Sequence, residues 1–204
     1  MAEETQIADV YNNNSENDTA KDKNDSQKNG FKGELFEWLE CIVFSLVAVV
    51  LIFTFVFRIV GVDGRSMVPT LQDQDRLVIS HMFYTPKQGD IIVITQPTAV
   101  NEPLIKRIIA KAGQKVDIDF STGTVYVDDS PLSEPYINEL TTNSATCNID
   151  LPVTVPEGKV FVMGDNRNNS RDSRDSSIGM IDERYILGKA FFRVYPLNKI
   201  GPVE

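Results

Sequence analysis

The sequence predicts a mostly β, antiparallel domain standing behind one apolar helix and a polar tail. Three observations predict it. An uncharged run, Cys41 to Phe57, lies between Glu40 and Arg58. Beyond it, short runs rich in β-branched and aromatic residues alternate with Gly, Pro, Asn and Asp, the pattern of strands joined by turns. No segment after residue 61 carries a long apolar stripe at helical spacing.

Taken in order, residues 1–33 are dominated by Asn, Asp, Ser and Lys. Such a segment buries too little surface to offset its ordering entropy, so a disordered tail is expected. Residues 34–60 hold the apolar run, with Ile59 and Val60 beyond Arg58. At about 1.5 Å per residue this approaches the ~30 Å of bilayer hydrocarbon. Only Ser45 and Thr54 interrupt it, and a core helix would show a polar stripe. A cleaved leader begins within a short basic segment, whereas forty acidic-leaning residues precede this run. It reads as an uncleaved signal-anchor, with Trp38 at headgroup level. Lys21, Lys23, Lys28 and Lys32 precede the span, and Arg58, Arg65 and Arg76 follow it. That small excess favours a cytoplasmic N-terminus and an extracytoplasmic domain over 61–204. The expected strands of that domain are RLVIS, DIIVIT, LIKRIIAK, KVDID, TVYV, KVFVM and KAFFRVY.

The net charge is −9, and residues 1–40, with ten acids against four lysines, supply −6 of it. No basic stripe is present, which argues against nucleic acid. Cys41 lies inside the apolar run, so no disulfide to Cys147 is expected, and one His with two separated Cys makes no usual zinc site.

Chemistry centres on Ser66 in VDGRSMVPTL. A serine needs a proton acceptor to become a nucleophile. His81 is the only histidine, and nothing around it marks it as a base. A lysine serves instead if burial keeps it neutral, since the free value is near ~10.4. Lys87, Lys159 and Lys199 sit in polar turns, whereas Lys106 lies in PLIKRIIA. In a strand Leu104, Lys106 and Ile108 share one face, and Arg107 takes the other. From these residues alone Lys106 is either a buried base or a lysine snorkelling from an edge strand. The stretch MGDNRNNSRDSRDS follows a strand and alternates Asp165, Arg167, Asp172 and Arg174 in sign. It is either a solvated loop or a cross-linked one held rigid for function, in which Ser170 and Ser173 are placed to orient a lysine amine.

These boxes, in this order behind one anchor, resemble the bacterial type I signal peptidases, membrane-anchored Ser/Lys proteases. The resemblance covers about residues 35–195 and is nearest to the single-anchor Gram-positive members. GRSMVPTL resembles the nucleophile box, KRIIAKAG the base box and MGDNRNNSRDSR the last box. VYVDDSPLSEPY is similar to the hairpin of a smaller β lobe, here 115–158. The base box departs from the common Gly-Leu-Pro-Gly-Asp continuation, reading Ala110, Lys111, Ala112, Gly113, Gln114.

The resemblance implies a serine endopeptidase that cuts signal peptides after Ala-x-Ala. Ser66 would be the nucleophile and Lys106 the base. Ser170 would orient Lys106, with Asp172 and Arg174 bracing the loop and Asp165 and Arg167 structural. Gly64 stands where some relatives place an oxyanion serine, leaving that duty to backbone N–H groups. Substrate would lie along Val62, Asp63 and Met67 and along Pro103, Leu104 and Ile105. The implied partners are preprotein signal peptides, the bilayer and the export translocon, with no cofactor, metal or nucleic acid. Two rivals remain at this level: a repressor-type self-cleaving protease, which lacks an anchor, and a non-catalytic anchored binding module.

Overall fold

The computed structural model describes residues 36–52, 56–80, 82, 84–95 and 102–203. The expected disordered tail and His81 lie outside these residues. Residues 36–52 form a helix whose described side chains are exposed, Trp38 and Phe44 among them. Among the described residues no helix is long and apolar enough to cross a membrane. The helix does not run to residue 60 as expected. Phe57–Gly61 is instead strand β1, where the β-branched Ile59 and Val60 find a partner edge in the next strand.

The remaining unit is built from two antiparallel sheets. The larger contains β1, β2 (Arg76–Ser80), β3 (Ile91–Ile94), β4 (Leu104–Lys111), β9 (Lys159–Met163), β10 (Ile181–Asp182), β11 (Ile186–Tyr195) and β12 (Gly201–Pro202). Its order is β1-β2-β11-β3-β4-β9-β10, with β12 beside β11. The smaller contains β5 (Lys115–Asp119), β6 (Thr124–Val127), β7 (Ser130–Pro131) and β8 (Val153–Thr154), in the order β7-β6-β5-β8. The small sheet thus falls within the expected 115–158 segment.

Strands β3 and β4 are buried on both faces, which is why their sequences read as continuous apolar runs. Ile91 and Val93 enter one core with Val62, Met67, Leu71 and Leu77. Ile92 and Ile94 enter another with Ile108, Val162 and Ile186. A third core joins the sheets: Ile109, Ala110, Phe161 and Met163 pack with Val116, Ile118, Val125 and Val127. A register shift between Ile108 and Ala110 lets β4 serve both partners. The altered base-box continuation still makes its turn. Gln114 N–H donates to Lys111 O at 3.0 Å, and Gly113 takes φ +84°.

One edge is left open. β4 pairs with β3 over Leu104–Arg107, but β9 joins its other side only from Arg107 onward. Among the described residues Leu104–Lys106 therefore has no strand on that side.

Candidate active site

Ser66 sits on a turn that neighbouring segments fix from several sides. Val62 N–H donates to Asp75 O at 2.8 Å, and Gln74 N–H donates to Val62 O at 2.9 Å. Gly64 N–H donates to Asp73 Oδ1 at 2.9 Å, with Gly64 at φ +87°. Backbone groups alternate in an extended segment, so the N–H and C=O of Asp63 face the opposite way, into open space. After Ser66 the chain turns, Leu71 N–H donating to Met67 O at 2.9 Å. Met67 and Leu71 are both buried in the core, which anchors the turn and leaves Ser66 half-buried at its tip.

Lys106 Nζ lies 2.7 Å from Ser66 Oγ and donates to it. The residue is 2% exposed, which decides between the two readings of its sequence: it does not snorkel. Burial pushes the ammonium down to about 8, while the carboxylates of Asp172 and Asp165 pull upward and Arg174 pushes down again. At pH 7 about a tenth of such an amine is neutral, a usable population of base in direct contact with the hydroxyl.

The loop after β9 is cross-linked by buried ion pairs. Of the four alternating residues, Asp172 and Arg174 pair with each other inside the loop, at 2.8 Å and both fully buried. Asp172 also accepts from Gly164 N–H at 2.9 Å. Asp165 reaches out to β4, where Arg107 donates to both its oxygens at 2.8 Å, and Thr70 Oγ1 donates to it at 2.5 Å. Arg167 pairs with Glu134 of the smaller lobe and donates to Thr141 Oγ1 at 3.2 Å. Tyr136 lies beneath both guanidinium groups, Arg107 at 3.9 Å and Arg167 at 5.8 Å. Asp165 and Arg167 are therefore ties to other elements. Those adjoining Ser66 and Lys106 run through Thr70 and Arg107.

The two candidate orienting serines separate. Ser173 does not face the amine: its Oγ accepts from Val162 N–H at 3.0 Å and its N–H donates to Val162 O at 3.1 Å. Ser170 Oγ is buried with no hydrogen-bond partner among the described residues, so no bond to Lys106 is formed. It stands against Gly164, where an added Cβ would overlap both Ser170 Oγ and the Ser66 carbonyl oxygen. Gly164 is thus the spacer between loop and nucleophile. Asn166 adds a clamp, its N–H donating to Ser66 O and its Nδ2 to Arg65 O, each at 3.0 Å.

A cleft of about 260 Å³ opens beside Ser66 and Lys106. Val62, Asp63, Met67, Pro103, Leu104 and Ile105 all line it, and Gly64 lies at its edge. Sequence reasoning missed Asp73, Glu134, Gly164 and Asn166 as positioning groups. Gly164, directly after a β-strand and before Asp, carried the one local signal; Asp73 and Glu134 depend on partners distant in sequence.

The family model described as "Signal peptidase, peptidase S26" matches residues 35–195. The chain is similar to a Signal peptidase I of Bacillus licheniformis, 38% identical over 181 residues, covering 85% of this chain and 95% of that one. A Probable signal peptidase I-1 of Synechocystis sp. is 39% identical, with 81% and 85% covered. Signal peptidase I T of Bacillus subtilis is 36% identical, with 80% and 87% covered. Among solved structures, a crystal structure of a signal peptidase I from Enterococcus faecalis is 31% identical, covers 52% of this chain and 97% of that chain, and has a TM-score of 0.43.

Proposed function

The chain belongs to the signal peptidase family, peptidase S26, and from that premise we propose that it is a membrane-bound serine endopeptidase releasing exported preproteins from their signal peptides. Ser66 is the nucleophile and Lys106 the general base. The observation that carries this reading is the 2.7 Å contact between Ser66 Oγ and a lysine nitrogen that burial pushes toward neutrality.

The steps follow from that contact. Neutral Lys106 Nζ takes the Ser66 hydroxyl proton as Oγ bonds to the carbonyl carbon. Ser66 N–H, which has no acceptor among the described residues, is placed to receive the oxyanion; such a donor contributes roughly 2.7–4 kcal/mol. On collapse the C–N bond breaks, and Lys106 returns the proton to the departing amine. The neutral lysine then takes a proton from water as the hydroxide attacks the ester. Ser66 leaves with the proton, and the signal peptide carries the new carboxyl group. Asp172, Arg174 and Asp165 hold the frame around the amine, and Ser170 is its neighbour through Gly164.

Substrate enters by strand addition. The open edge of β4 at Leu104–Lys106 faces one side of the cleft and the outward N–H and C=O of Asp63 the other. The cleft's modest volume, with Val62, Met67 and Leu104 in its wall, supports small side chains at the cut and two positions before it. We place the apolar helix as a single anchor in the cell membrane, N-terminus cytoplasmic, with the β unit outside near the export translocon.

Ser66→Ala and Lys106→Ala, assayed on a preprotein with an Ala-x-Ala cut, test the mechanism. Both lose turnover while the fold persists; full activity in either refutes the dyad. A histidine-modifying reagent leaves the wild type active, and inactivation by it would return His81 to consideration.

A further inference from the structure

Resting on the Ser66 and Lys106 reading above, we propose that Arg193 of β11 is a positioning residue for the nucleophile, holding in place the turn that presents Ser66 to Lys106. It lies 123 residues along the chain from the carbonyl it binds, and it is not among the residues that line the cleft.

A slip in the sheet delivers Arg193 to this task. Ala190 stands opposite Ile79, and Arg193 stands opposite Leu77. Residues directly opposite in antiparallel strands share a face. Leu77 and Ile79, two apart in β2, share that face with each other. In an unbroken strand Ala190 and Arg193, three apart, would face opposite ways. The register shift between Ala190 and Phe192 cancels that alternation, as a bulge does when it re-aims a side chain. Arg193 is thereby turned to the face of Leu77, Ile79 and Ala190, where Met67 and Leu71 of the nucleophile turn also pack. A guanidinium on a core-facing position costs desolvation unless its donors find acceptors.

The acceptors are on the turn. Arg193 Nη2 donates to Thr70 O at 2.5 Å. Its Nε lies 3.2 Å from Asp75 Oδ2, off the line of a hydrogen bond, and Asp75 Oδ2 accepts from Gln72 N–H at 3.0 Å. Thr70 is thus held from two elements, because its Oγ1 donates to Asp165 in the loop after β9. The side-chain bond alone leaves the Thr70 backbone free to pivot about its Cα–Cβ bond. The second bond, made to the carbonyl, fixes the peptide itself. Ser66 stands four residues earlier in the same turn, and its 2.7 Å contact with Lys106 tolerates little sliding. Lys199 Nζ adds an exposed tie to Gln72 Oε1 at 2.9 Å, which leaves the Thr70 carbonyl untouched.

The test measures cleavage of a preprotein with an Ala-x-Ala cut by full-length variants in detergent micelles. kcat is expressed per folded molecule, with the folded fraction read by calorimetry. Arg193→Met is expected to lower kcat about ten- to a hundredfold, the scale of a displacement of up to about 1 Å at the reacting atom, with KM within about twofold because the open edge of β4 is untouched. Two further variants separate positioning from stability. Arg193→Lys keeps a cation for Asp75 but replaces the planar fork by one nitrogen, so Tm stays near that of the wild type while kcat falls about tenfold. Asp75→Asn removes the charge partner and keeps an oxygen for Gln72, so Tm falls while kcat stays within about twofold of the wild type. An unaltered kcat in folded Arg193→Met overturns the proposal. So does a kcat that falls in step with Tm across the three variants, the result a merely structural arginine gives. Should Arg193→Met fail to fold, the other two decide: kcat kept in Arg193→Lys, or lost in Asp75→Asn, overturns it. A preprotein still cut by Ser66→Ala defeats the dyad reading and this inference with it. An inactive Ser66→Ala beside an unaltered kcat in Arg193→Met defeats this inference alone.

Discussion

Lys106→Met is expected to abolish turnover and to make the protein more stable. The folded amine, at about 8, binds its proton less well than an ordinary lysine at 10.5. A lysine lowered in this way costs stability wherever it is charged in the fold, which is fully so below about pH 8. Between about 8 and 10.5 the cost fades, because the unfolded chain still holds the proton, and above 10.5 it is gone. At about 1.36 kcal/mol per pKa unit, the gap between 10.5 and about 8 corresponds to about 3 kcal/mol. Methionine has a similar length and no charge, but it forfeits the bond to Ser66, about 1 kcal/mol. The net gain at pH 7 is about 2 kcal/mol, a rise in Tm of about 4–8 °C for a unit of this size. At pH 10.5 the wild type no longer carries the cost, and the order reverses by about 1 kcal/mol. Calorimetry of both full-length proteins in micelles at the two pH values is the assay. A variant melting below the wild type at pH 7, or a difference that does not change with pH, refutes the reasoning.

Three further outcomes follow from the same geometry. kcat/KM rises about tenfold per pH unit below about 8 and levels off above it; a profile already flat at pH 6 contradicts Lys106 as base. Asp172→Asn removes a carboxylate that pulls the Lys106 value upward, so the rising limb moves to lower pH while stability falls by about 3–5 kcal/mol from the unpaired Arg174. A limb moving to higher pH counts against this account of the amine. Gly164→Ala drives a Cβ into the Ser66 carbonyl oxygen and Ser170; a shift near 1 Å at the nucleophile lowers kcat about 10²-fold, and wild-type turnover in a folded variant contradicts the spacer role.

Much of this was legible in the chain itself. Seven of the eight described strands of four or more residues appear where β-branched runs lie between turn residues, because that chemistry is local. Lys106 stood out for the same reason: its apolar neighbours in sequence remain neighbours in the strand. What stayed hidden depends on distance along the chain. Asp165 lies 58 residues from Arg107, and Glu134 lies 33 from Arg167, so sign alternation inside the loop did not reveal that Asp165 and Arg167 pair outside it. Phe57–Gly61 misled because Ile59 and Val60 carry apolar character on past Arg58. Only its pairing with Arg76–Ser80 reveals a strand, and pairing is not written in one segment. Ser173 was indistinguishable from Ser170 by type and differs only in facing β9.

The open edge of β4 carries a further consequence. Unpaired peptide groups accept any extended chain, whatever its side chains, so an edge of this kind suits a protein that must handle many unrelated clients. The same indifference invites a second copy of the protein to zip onto it. Pro103, which brings no N–H, and the exposed charge of Glu102 stand at the mouth of that slot, and a buried ammonium waits along it. A flat partner sheet would have to strand these groups away from water, while a single flexible peptide threads past them.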